Sequence, residues 1–194
     1  MSLTEAWNDF LEILQRYGCD EVFQPGLRQI PPGHPYLEYR ESSLAQYFEL
    51  LTLANGQRGA DKPVFKSVSG WNKYERHRLL SLEESGQYYR RILSDQELVI
   101  ELGLGFVPFS ANGVSPAPGR SLDELFAIDL ATGEVCLLWC CYADPFNPPG
   151  WQISCFRVAG SLAAFVAWQQ SLYGAYWHGE RMTNPFRTAG MRWG

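Results

Sequence analysis

Residues 121–158 read SLDELFAIDLATGEVCLLWCCYADPFNPPGWQISCFRV, and this stretch decides the fold. Phe126, Ile128 and Leu130 alternate along one face, the period of a half-buried strand. Ala131-Thr132-Gly133 follows as a three-residue connection, with glycine where a positive φ is needed. From Glu134 to Tyr142 the chain is apolar on both faces. Val135, Leu137, Trp139 and Cys141 fall on one, Cys136, Leu138, Cys140 and Tyr142 on the other. Such a run predicts a central strand covered on both sides. Asp144 to Gly150 cannot continue a ladder, because Pro145, Pro148 and Pro149 supply no N–H. Trp151 to Val158 then reads as a third strand.

Working outward, Ser2 and Glu5 have capping-box spacing ahead of Leu3, Trp7, Phe10, Leu14 and Tyr17, an amphipathic helix stopped by Gly18. Pro25, Pro31, Pro32 and Pro35 bar a helix over 19–42. Ser43 is placed to cap a second helix buried through Leu44, Tyr47, Phe48, Leu51 and Ala54 and ended by Asn55-Gly56. Pro63–Phe65 and Arg76–Leu80 read as short strands. Ser81 and Glu84 form a second capping box, opening a helix to Leu93. Ser94-Asp95 repeats the signal for a short helix to Glu101, and Phe106–Phe109 is the next strand. Gly160-Ser161 opens a last helix with Leu162, Phe165, Trp168 and Leu172, ended by Gly174.

The pattern predicts an α+β fold: a largely antiparallel sheet of five or six strands with helices packed against it. One domain over 1–174 is expected. The tail 175–194 carries Tyr176, Trp177, Phe186 and Trp193, with Arg181, Arg187 and Arg192 against Glu180. It is too apolar for a free tail, so it is expected to pack on the domain or on a second copy, making a homo-oligomer.

Composition excludes several classes. A net charge of −5 disfavours nucleic acid as a partner, since phosphate binding needs clustered Lys and Arg. No apolar run reaches the ~18 residues of a membrane span, so no membrane partner is expected. The acidic start MSLTEAWNDF lacks a signal pattern, which predicts a cytoplasmic protein. Five cysteines without regular spacing predict no disulfide framework. Cys136 and Cys140 stand about 13 Å apart by strand rise, too far to share a metal, and read with Cys155 as small buried apolar groups. His34, His77 and His178 form no metal motif, and Gly103-Leu104-Gly105 precedes a strand where dinucleotide binding needs it to follow one. The chain is therefore read as no enzyme, with no catalytic residue, cofactor or metal. What remains is surface. Asp123, Glu124, Asp129, Glu134 and Asp144 face one Arg120. Trp71 and Trp151 sit beside glycines in predicted loops. Trp71, Tyr74, Phe146 and Trp151 as anchors, with Asp123, Asp129, Glu134 and Asp144 as charges, form the candidate partner-binding set.

The order of these signals resembles the SUKH superfamily, which includes bacterial immunity proteins and fungal regulators of cell-wall glucan synthesis. Trp7 in the first helix, Leu50-Leu51-Thr52-Leu53-Ala54-Asn55-Gly56-Gln57 closing the second, and Leu79-Leu80-Ser81-Leu82-Glu83-Glu84 entering the third carry the resemblance. So do Phe106-Val107-Pro108-Phe109-Ser110, the run Phe126 to Leu130 with Gly133-Glu134-Val135, and a closing helix with Phe165. The Pro-rich segment 25–39, the insertion 110–123 and the tail depart from a minimal member. The resemblance implies an α+β fold and a protein partner, with no shared catalytic residues. It implies an immunity protein that masks a bacterial toxin, or else a regulatory scaffold module of the glucan-synthesis-regulator type.

Overall fold

The structure, a computed structural model, describes residues 1–16, 19–58, 64–66, 76–102, 105–112, 123–142 and 151–177. In chain order these form α1 (Leu3–Arg16), β1 (Phe23–Pro25), α2 (Ala45–Leu53), β2 (Ala54–Gln57), β3 (Phe65–Lys66), β4 (Arg76–Leu79) and α3 (Leu82–Leu93). They continue through α4 (Gln96–Leu102), β5 (Phe106–Ala111), β6 (Asp123–Asp129), β7 (Val135–Tyr142), β8 (Trp151–Ala159) and α5 (Leu162–Trp177). The class is α+β. Strands β3 to β8 make one six-stranded antiparallel sheet in sequence order, and β1 pairs with β2 in a separate two-stranded sheet.

The two-faced character of β7 has a direct cause. It pairs with β6 on one side and β8 on the other. Val135 and Leu137 enter a core shared with α1, α2 and α5. Cys136 and Leu138 enter a second core with Tyr88 and Ile92 of α3 and Leu98 and Leu102 of α4. The sheet thus separates two cores, and β7 lies second from its edge.

The larger core is built on phenylalanine. The Phe165 ring lies 4.7 Å from Phe126 and 5.3 Å from both Phe65 and Phe109, centroid to centroid. All four are fully buried. β5 supplies Phe109 through a bulge. Its pairing runs Pro108↔Ala127 and then Ser110↔Phe126, so Phe109 has no opposite residue. A bulge is where an interior strand tolerates a proline.

Both capping boxes form. The Ser2 N–H donates to Glu5 Oε2 at 2.7 Å while the Glu5 N–H donates to Ser2 Oγ at 3.2 Å. Ser81 and Glu84 repeat the exchange at 2.9 and 3.2 Å.

Four boundaries differ from the sequence reading. α2 begins after Leu44, without a side-chain cap from Ser43. A 3-10 turn at Pro35–Tyr39 precedes it, and the Tyr39 and Ser42 carbonyls take the N–H groups of Leu44 and Ala45. α2 then stops at Leu53 because Ala54 turns extended, at φ −152° and ψ 132°, to enter β2. Asn55-Gly56 serves that strand's junction with α3. Asn55 Oδ1 accepts from the Leu82 N–H at 2.9 Å. Gly56, at φ 87°, lies so close that a Cβ would stand 2.6 Å from Ser81 N. Asp95, and not Ser94, caps α4, accepting from the Leu98 N–H at 3.3 Å. Ser94 Oγ instead donates to the Arg91 carbonyl at 2.9 Å, closing α3. Last, α5 runs past Gly174 to Trp177; a glycine costs a helix only about 1 kcal/mol, too little to end one held by packing. Tyr17, Gly18 and the tail from 178 lie outside the described residues.

Candidate functional site

The β6–β7 turn sets one end of the sheet. It is longer than the three residues expected. Leu130 leaves the strand, and the loop closes where the Asp129 N–H donates to the Glu134 carbonyl at 2.9 Å. Gly133 takes φ 74°, as the reading required. Asp129 holds the loop: its carboxylate accepts from the Ala131 N–H at 2.8 Å and from Thr132 Oγ1 at 3.0 Å. Glu134 is paired with Arg157 of β8 at 2.8 Å. Both acids remain partly exposed at this end, each with part of its charge already compensated.

The structure does not gather the other candidates there. Asp123 opens β6 at its far end, six residues from Asp129 and about 20 Å away by strand rise. Trp151 begins β8 opposite Tyr142, at that same far end. Only the backbone positions of Asp123 and Trp151 are described. Trp71, Tyr74, Asp144 and Phe146 lie outside the described residues.

Two surface hollows accompany these features. One of about 410 Å³ adjoins the turn, between Thr132-Gly133, Ser42–Gln46 and the start of α5 at Ser161. Its rim is fixed by the Ala163 N–H donating to Gln46 Oε1 at 3.0 Å and the Ala164 N–H to Ser161 Oγ at 3.2 Å. The other, about 330 Å³, is formed by the Pro-rich segment against α2, with Leu27, Ile30, Pro32 and Phe48 as walls and Arg28 and Arg40 as its cations. The Arg40 guanidinium lies 5.9 Å from the Phe48 ring centre. Ile100 on α4 is 78% exposed, an apolar surface group that the sequence reading did not single out.

Sequence reading also missed a buried histidine–carboxylate pair. His77 Nε2 lies 3.2 Å from Glu124 Oε2, and both side chains are buried. The His77 ring sits 4.5 Å from Phe126. Burial holds its pKa below the ordinary value, against the pull of Glu124, so the ring is neutral and donates from Nε2. Its Nδ1 is buried with no hydrogen-bond partner. Glu124 had been counted with the surface acids. Its even position in line with Phe126 and Ile128 was the signal that it faces inward.

Cysteine placement differs too. Cys155 is exposed where a buried thiol was expected, because β8 is the outer strand and the second core covers it incompletely. Cys136 is buried in that second core, on the sheet face opposite Phe126 and His77. Cys136 and Cys155 therefore lie across the sheet from the buried histidine. Among the described residues, no group of three or more His, Cys, Asp or Glu side chains could hold a metal ion, and no helix is long and apolar enough to cross a membrane.

These features define an α+β domain with two cores and with charge displayed at a sheet end. No family model matches the chain, and comparison with curated proteins and with solved structures gives no match.

Proposed function

We propose that this chain is a non-enzymatic protein-binding domain that acts as an immunity protein, masking the active site of a bacterial toxin in the cytoplasm. One observation carries the reading. The residues on which the SUKH resemblance rests are the joints of the fold. Trp7 is buried in the larger core, Gly56 abuts Ser81, the Ser81–Glu84 box opens α3, Gly133 makes the turn, and Phe165 centres the phenylalanine cluster. A resemblance lodged in joints concerns architecture, and the binding role is what the resemblance implies.

The turn end of the sheet is the face best suited to a basic partner. Asp129 and Glu134 are fixed on a rigid hairpin, beside a hollow able to seat a protruding side chain. Charges so placed raise the association rate more than the final affinity. Co-expression with the product of a neighbouring gene that is toxic when expressed alone tests the role. Restored growth and a co-purifying complex are expected; continued killing with no complex contradicts it. A growth-neutral neighbour that still assembles with the chain would favour the regulatory scaffold reading.

A further inference from the structure

Cys136 on β7 and Cys155 on β8 lie on the same face of adjacent strands. In the register, Cys136 is opposite Arg157 and Leu138 opposite Cys155, so the two cysteines are diagonal neighbours. Diagonal neighbours on one face bring the two side chains within reach of each other. A register shift between Val135 and Cys136 lies beside the pair, and such irregularities tighten the local twist that draws one diagonal together. One thiol is buried and the other exposed.

We infer that Cys136 and Cys155 form a peroxide-sensitive dithiol, with Cys155 the attacking thiol and Cys136 the resolving one. Three features set the roles. Exposure lets a small peroxide reach Cys155 alone. Contact with Cys136 holds the Cys155 thiol below its ordinary pKa, against burial and the charge of Asp129. The same contact, burial and the nearby acids push Cys136 up, so it keeps its proton until the second step. The Cys155 thiolate attacks one oxygen of hydrogen peroxide; the O–O bond breaks, hydroxide leaves, and Cys155 becomes a sulfenic acid. The Cys136 sulfur then attacks the Cys155 sulfur. The S–O bond breaks, and the Cys136 proton leaves with the hydroxyl as water. The two thiols lose two electrons in all, and peroxide is reduced to water.

Diagonal positions are wider apart than a relaxed disulfide prefers, so the bridge draws β8 inward and is readily reduced. β8 can move because only one of its sides is paired within the sheet.

The test is to expose the folded full-length chain to hydrogen peroxide, block free thiols with iodoacetamide, unfold, and digest with a protease that cuts before aspartate. Cleavage at Asp129 and Asp144 separates the fragment holding Cys136, Cys140 and Cys141 from the one holding Cys155. Before alkylation the expected product is an intact monomer about 2 Da lighter, and the digest shows those two fragments joined through Cys136 and separated by dithiothreitol. In Cys136→Ser, Cys155 is expected to proceed to sulfinic acid without a bridge. Tandem mass spectrometry of the unmodified chain assigns the bridging sulfur even where that variant fails to fold. Recovery of Cys155 as freely alkylated as in the untreated chain overturns the inference. So does a bridge through Cys140, Cys141 or a second chain.

Discussion

A neutral imidazole sealed against a carboxylate, as in His77 and Glu124, makes stability depend on pH. The unfolded histidine titrates near 6.5 and the folded one lower, so below 6.5 the unfolded chain binds the extra proton. The contribution is full above that pH and is lost as pH falls toward the depressed folded value. His34 shifts the same way, chiefly through burial and then through Arg90, but it is only partly buried and contributes less. Thermal unfolding should show a lower Tm at about pH 5 than at pH 7. His77→Phe should flatten the slope, since it removes the buried ring whose protonation the folded state resists. Equal slopes in the two proteins would contradict the buried-neutral assignment. The pair was half legible in sequence. Strand alternation offered the inward placement of Glu124, although the reading counted it with the surface acids, and its partner is 47 residues away, across a strand order that no local pattern encodes.

Among the elements, caps and hubs carry the measurable energies. Ser81→Ala removes one arm of the α3 capping box and should cost about 1 kcal/mol in urea denaturation. Phe165→Ala opens the centre of the phenylalanine cluster and should cost about 3–5 kcal/mol. A Phe165→Ala loss no larger than that of Ser81→Ala would mean that the cluster does not organise the core. Element types were largely readable, because periodicity and the two capping boxes are local. The two ends of α2 misled for one cause: neighbouring structure supplied or withdrew the cap. Ser43 was displaced as a cap by backbone carbonyls, and Asn55-Gly56 was taken up by the joint with α3. Cys155 misled for a related reason, since sequence showed a strand but not that it forms the sheet's outer edge.

At the scale of the whole molecule, the sheet divides two cores and ends in a charged turn. The apolar faces of β7 made that division legible, but the distribution of the acids depended on register. Their sequence proximity concealed a strand's length between Asp123 and Asp129. The steering idea is accordingly tested at the turn end. Asp129→Asn keeps an acceptor for the Ala131 N–H, and Glu134→Gln removes the charge facing Arg157. Together they should slow association with a basic toxin severalfold at low salt, with little change in dissociation, and the difference should vanish near 0.5 M salt, where screening is strong, to about that order. Unchanged association rates would place the interface elsewhere. The most direct trial of the binding role is to titrate the purified chain into a toxin recovered with it, by pull-down or from a neighbouring gene, while measuring the toxin's activity. The masking account predicts stoichiometric loss of activity, reversed when the complex dissociates. Full activity in the presence of excess chain, or permanent destruction of the toxin by a catalytic amount of it, would contradict that account.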